Sequence, residues 1–134
     1  MKTLKSVILE GLNKPTIFTI VKPGFLDLAQ TIIEKFEENG YSIEKIKTKK
    51  LLPTEAQELY AIHKEEEWYE PLWKYMSSEP TTAIIFSKDC EDIFKETSKL
   101  KDEIRDKFGE SDMRNVLHSS DSQEHMETEQ SIYF

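Results

Sequence analysis

The chain carries 18 basic residues, yet only two are arginines, Arg105 and Arg114, and both lie just upstream of His118. Arginine presents a planar fork of donors that lysine lacks, and the fork suits phosphate oxygens. His118 follows Val116 and Leu117 and precedes Ser119-Ser120-Asp121-Ser122. A histidine at a strand end just before a helix N-terminus sits in a natural anion site. An imidazole there can attack phosphorus when a carboxylate fixes its tautomer. The plainer alternative has two surface arginines and a core histidine satisfied by backbone, and spacing alone leaves both open. His63 and His125 stand among glutamates and read as helix-surface residues, neither with a partner at metal-ligand spacing. Cys90 is the only cysteine, which excludes an internal disulfide and any multi-cysteine zinc site.

The elements that must position these residues follow from periodicity. Thr16 to Val21 is rich in β-branched and aromatic residues between Pro15 and Pro23 and reads as a buried strand. Leu26, Ala29, Ile32, Ile33 and Phe36 form a helical stripe, closed by Gly40. Tyr41 to Leu52 reads as a long edge strand guarded by Lys45, Lys47, Lys49 and Lys50, with a bulge between Ile43 and Ile46. Thr54 and Gln57 carry a capping-box signature opening a helix through Leu59, Tyr60 and His63. Helical register continues through Trp68, Leu72, Trp73 and Met76. Thr82 to Phe86 is a second buried strand after Pro80. Ile93 to Phe108 is a helix ending at Gly109, Val116 to His118 a short strand, and Ser120 with Gln123 a second capping box for a last helix. Strands alternating with helices at this length give a two-layer α+β sandwich.

At 134 residues the chain is expected to form one domain with a real core and no need of staples. Its formal charge of −8 and pI near 5.0 argue against nucleic acid and anionic lipid as partners. No apolar run approaches the roughly 20 residues that span a bilayer. The start, Met1-Lys2-Thr3-Leu4-Lys5, lacks the apolar stretch of an export signal, so the expectation is a soluble cytoplasmic protein without membrane association.

Arg105-Asp106-Lys107-Phe108, followed by Arg114-Asn115-Val116-Leu117-His118-Ser119-Ser120-Asp121-Ser122, resembles the active-site segment of nucleoside diphosphate kinases. That family carries an Asn-X-X-His-Gly-Ser-Asp-Ser run with an arginine at the same distance upstream. Glu129 and the ending Ser131-Ile132-Tyr133-Phe134 resemble its Glu-Ile-Ser-Leu-Trp-Phe close, and Ile20-Val21-Lys22-Pro23 its Ile-Lys-Pro strand end. Tyr60 and Lys74-Tyr75-Met76 match its helical hairpin. The resemblance runs from about Thr16 to Phe134, leaving residues 1–14 as an N-terminal extension.

The resemblance implies a ferredoxin-like βαββαβ fold, a four-stranded antiparallel sheet covered by helices, with the hairpin over a nucleotide site. It implies transfer of a γ-phosphate from nucleoside triphosphate to nucleoside diphosphate through phospho-His118, in two easier steps. By position, Lys22 would contact the terminal phosphate and the ribose 3′-hydroxyl, Arg105 the phosphate oxygens and Asn115 the ribose. Glu129 and Ser120 would orient the imidazole, Tyr60 would line the pocket beside it, and Trp68 would stack on the base. Mg²⁺ would bridge the nucleotide phosphates with few or no protein ligands. The resemblance implies the family's hexamer, but the shortened stretch from Phe86 to Arg105 puts that assembly in doubt and leaves a homo-oligomer, dimer or higher, as the expectation.

The sequence also departs from that pattern. Lys22-Pro23-Gly24 stands where the family has Lys-Pro-Asp-Gly, Ser119 replaces the glycine after the histidine, and the stretch from Phe86 to Arg105 is short. That stretch normally supplies a phosphate-binding arginine and threonine and a loop of the trimer interface. No arginine lies within it, which leaves Lys95, Lys99 or Lys101 to replace the charge and Thr97 the hydroxyl. The alternative to an active kinase is a degenerate member serving as a nucleotide- or protein-binding module. An unrelated ferredoxin-like nucleic-acid binder conflicts with the charge.

Overall fold

The computed structural model describes residues 14–134, so nearly all of the expected N-terminal extension lies outside the described residues. Strand β1 is Thr16–Val21, helix α1 Ala29–Glu38 and strand β2 Ser42–Lys49. Helices α2 (Pro53–Leu59) and α3 (Tyr69–Met76) form the insert, followed by β3 (Thr81–Ser87), α4 (Ile93–Phe108), β4 (Leu117–Ser119) and α5 (Gln123–Gln130). The strands lie in the order β2-β3-β1-β4, every neighbouring pair antiparallel, which is the ferredoxin-like arrangement.

The central strands β1 and β3 are buried almost throughout, which is why they read as near-continuous apolar runs. One face, with Ile17, Val21, Ile84 and Phe86, packs on Ile32 and Phe36 of α1 and Ile93, Leu100 and Ile104 of α4. Phe36 stacks on Phe86 with ring centroids 4.2 Å apart. The opposite face, with Phe18, Ile20, Ala83 and Ile85, is covered by Ala56 and Leu59 from α2, Tyr60 just beyond it, Leu72 and Met76 from α3, and Met126, Ile132 and Tyr133. The sheet is therefore covered on both sides, by the second layer expected from periodicity and by the insert with the C-terminal segment.

Local signals set several boundaries. Gly40 has φ +87°, a conformation glycine adopts without the Cβ penalty, and it ends α1 as expected. The register of β2 on β3 shifts between Ile43 and Lys45, the expected bulge on the edge strand. The helix expected to open at Thr54 begins instead with Pro53 at its first turn, and Glu55 accepts the Leu52 N–H at 2.9 Å. The single helix read through His63 toward Trp68 is broken into α2, a 3₁₀ turn at Ala61–His63, and α3. Among the described residues no helix is long and apolar enough to cross a membrane.

Candidate active site

The pairing of β4 with β1 creates the site. His118 lies opposite Ile20 and Leu117 opposite Val21, so the residue after β1, Lys22, falls at the level of the residues before β4. The Lys22 N–H donates to Val116 O at 2.8 Å. Val116 itself has φ +77°, and the Leu117 N–H reaches back to Asn115 O at 2.9 Å, forming a γ-turn. A β-branched residue in that region costs about 1–3 kcal/mol. The tight reversal brings Asn115, Lys22 and His118 into one cavity.

Behind the imidazole the polar groups are paired. His118 Nε2 lies 2.9 Å from Glu129 Oε1, and the Ser120 hydroxyl donates to Glu129 Oε2. Ser120 and Glu129 are both buried, and the Ser120 N–H is tied to Phe18 O at 3.0 Å. Burial works to raise the Glu129 carboxyl, but the hydrogen bond and charge of His118 and the Ser120 hydroxyl outweigh it and hold the group below its ordinary value. An ionised carboxylate only accepts, so Nε2–H is the donor in this pair, and in the neutral form of the ring the lone pair is at Nδ1. Tyr60 stands edge-on to the imidazole with ring centroids 5.9 Å apart. Its buried hydroxyl has no partner among the described residues, and burial pushes its pKa up.

A second part of the lining is cationic. Lys101 and Arg105 lie one turn apart on α4, and Lys22 joins them from the end of β1. Arg105 donates through Nε and Nη2 to Leu117 O at 3.2 and 2.7 Å, which leaves further guanidinium donors for a ligand. Burial, then Arg105, then Lys101 lower the Lys22 ammonium to about 7. Asn115 Nδ2 donates to Asp112 O at 2.8 Å, while its buried Oδ1 is unpartnered among the described residues. Lys22, Tyr60, Trp68, Arg105, Asn115, His118 and Glu129 line one cavity of about 580 Å³. Ser120 is placed behind it.

A family profile for nucleoside diphosphate kinase matches residues 16–134. The chain belongs to the nucleoside diphosphate kinase family. It is 32% identical to a nucleoside diphosphate kinase of Kosmotoga olearia, covering 87% of this chain and 86% of that one. It is 33% identical to the Helicobacter pylori enzyme over 90% of this chain and 96% of the relative. The crystal structure of the Aquifex aeolicus nucleoside diphosphate kinase superposes with a TM-score of 0.81 at 28% identity, covering 89% and 94% of the two chains. With that membership the chain is a phosphate-transferring enzyme.

Within this kinase fold several expected side chains have other partners. The Arg114 guanidinium lies 5.4 Å from the Phe25 and Tyr75 ring centroids and pairs with Glu110 at 3.1 Å. It is absent from the cavity wall and braces the short turn at Gly24, where a Cβ would approach its Nη2 to 2.8 Å. Thr97 is fully buried and shares a 3.0 Å hydrogen bond with the Tyr41 hydroxyl, so it is not available as a phosphate ligand. Of the lysines in the shortened stretch, only Lys101 lines the site, and Lys99 faces a separate hollow beside Tyr41 and Glu103. Ser120 does not cap the last helix. That hydroxyl is bound to Glu129, and Ser122 caps α5 by accepting the His125 N–H at 3.2 Å.

The flanking glutamates predict surface positions for His63 and His125, yet both line the cavity, with the His63 ring 4.7 Å from that of Trp68. Asp112 and Asp121 also line it, and no spacing in the sequence marks them. The i, i+4 spacing of Lys101 and Arg105 was the readable signal for Lys101. The histidines carried no such signal, because only the turn at Ala61–His63 and the packing of α5 bring them inward.

Proposed function

We propose that the chain transfers the γ-phosphate of a nucleoside triphosphate to a nucleoside diphosphate by a ping-pong mechanism through phospho-His118. The reading rests on the Glu129 carboxylate accepting the Nε2 proton, which leaves a lone pair at Nδ1 of a ring lining a cationic cavity. In the first half-reaction Nδ1 attacks the γ-phosphorus, a P–N bond forms, the bond to the β,γ-bridging oxygen breaks, and the nucleoside diphosphate leaves. A terminal oxygen of a second diphosphate then attacks the same phosphorus and the P–N bond breaks. Glu129 and Ser120 orient the ring and stabilise its positive charge. Lys22 and Arg105 hold phosphate oxygens, and the unpartnered Asn115 Oδ1 accepts a ribose hydroxyl. The Tyr60 hydroxyl donates beside the transferring group, and Trp68, partly exposed at the cavity, stacks on the base.

Mg²⁺ would arrive with the nucleotide and would supply charge neutralisation at its phosphates. No group of three His, Cys, Asp or Glu side chains suited to a metal occurs among the described residues, and Asp112 and Asp121, which line the cavity, would accept from the ion's waters. We place the reaction in the cytoplasm and the chain in a homo-oligomer, dimer or higher.

Incubation with γ-labelled ATP followed by denaturing electrophoresis under alkaline conditions tests the mechanism. The expected result is labelled protein whose label survives base and is lost in acid. The engagement of Thr97 with Tyr41 favours a second reading, a nucleotide-binding module with impaired turnover. Nucleotide binding without any label would establish that reading instead.

A further inference from the structure

We propose that Lys101 is a phosphate ligand of this kinase, acting from α4 on the same polyphosphate as Lys22 and Arg105; the proposal rests on the nucleotide reading above. Lys101 is only 8% exposed, yet its side chain makes no ion pair and no hydrogen bond among the described residues. It lines the same cavity as Lys22, Arg105 and His118. A lysine stem that packs while its ammonium reaches water is common at a surface. Here the ammonium reaches a cavity already holding two other cations, which is unfavourable in the free protein.

The neighbours make that cost explicit. Lys101 and Arg105 are like charges at i, i+4 on one helix, a spacing that destabilises it. Burial first and Arg105 second depress the Lys101 ammonium, while Asp121, Asp102 and Glu129 act in the opposite direction. Glu129 is already engaged by His118 and Ser120, and neither Asp102 nor Asp121 closes to an ion pair with the lysine. An anion carrying several charges relieves the mutual repulsion of all three cations at once, which a single carboxylate does not. A nucleoside di- or triphosphate fits that description. Lysine contributes a point charge without the bidentate geometry of arginine, so its hold on the phosphate is electrostatic and salt-sensitive.

Three variants, Lys101→Met, Lys101→Arg and Lys99→Met, are compared with the wild type by calorimetric titration with ADP and with adenosine, each at two salt concentrations. Lys101→Met should weaken ADP binding by about tenfold, leave adenosine unaffected and reduce the salt dependence of ADP binding. Its Tm should hold or rise, since a repulsive charge has been removed. Lys101→Arg should recover most of the ADP affinity, and Lys99→Met should match the wild type. Unchanged ADP affinity in Lys101→Met would overturn the proposal. So would an equal loss for ADP and adenosine accompanied by a lower Tm, which marks a packing role. Labelling of wild-type His118 by γ-labelled ATP is scored separately. A labelled wild type with an unimpaired Lys101→Met removes only the role of Lys101, whereas a wild type that neither labels nor binds ADP removes the kinase reading and this inference together.

Discussion

The two walls of the cavity are held by opposite means. Behind His118, both Glu129 oxygens are engaged, and Ser120 is anchored through its hydroxyl and its N–H. On the other, Lys22, Lys101 and Arg105 are drawn together without a carboxylate paired to any of them among the described residues. The first wall is complete before a ligand arrives, as the proposed role of Glu129 in orienting His118 requires. The second gathers three like charges that donate only to backbone carbonyls or to nothing among the described residues, and in the proposed function the nucleotide phosphates supply the counter-charge. Loss on the first wall should therefore fall on turnover, and loss on the second on affinity and its dependence on salt and pH.

The largest effect tests the first wall. His118→Ala should lower phosphate exchange by about 10⁴-fold or more and abolish the acid-labile label. Residual label in that variant would assign a nucleophile to His63 or His125, which share the cavity. Glu129→Gln should reduce kcat by about 10- to 100-fold with KM nearly unchanged, because it alters only the group that fixes the tautomer. A parallel rise in KM would break the division between the walls.

The second wall is sharpened by pH. The Lys22 ammonium sits at about 7 in the folded protein against an ordinary 10.5, so between those values the unfolded chain binds more protons than the folded one. Stability should therefore rise with pH across that window, and the penalty is fully present below it. Lys22→Met should flatten this slope in denaturant titrations at pH 6 and pH 9. Bound phosphate recharges the lysine, so ADP binding at about pH 8 should take up close to one proton, read from calorimetry in buffers of different ionisation enthalpy. Proton release would contradict a cationic wall completed by an anion. The smallest effect concerns the base: purine nucleotides should change the fluorescence of Trp68, and Trp68→Phe should remove that change while leaving the signal of Trp73.

Much of the fold was legible because its signals are local. Runs such as Thr16–Val21 and Thr81–Ser87 are apolar on both faces because both faces of the sheet are covered. The stripe from Ile93 to Ile104 on α4 and the turn at Gly40 depend only on periodicity and on one residue's freedom. The insert was read as a longer helix than it is. Periodicity at Tyr60, His63 and Trp68 continues across the break, and packing on the sheet, with the Tyr69 hydroxyl donating to Gln57 O at 3.2 Å, sets the hairpin.

For the candidate site, the sequence by itself determined which groups are present: a histidine followed by Ser120, a distant Glu129, Lys22 at a strand end, and Arg105 on a helix. Their types specify acceptors, donors and charges whatever their surroundings. Only the tertiary structure decided how those groups are spent. Arg105 and Arg114 are chemically identical, yet one donates beside the imidazole and the other lies over two aromatic rings. Thr97 and Lys101 share one helix face to within a turn, but Tyr41 takes the threonine hydroxyl while the lysine reaches the cavity. Ser120 carries a capping signature, and Glu129 claims its hydroxyl instead. In each case a partner distant in sequence competes for the group, and that competition is settled by how β4, α4 and α5 pack rather than by any spacing along the chain.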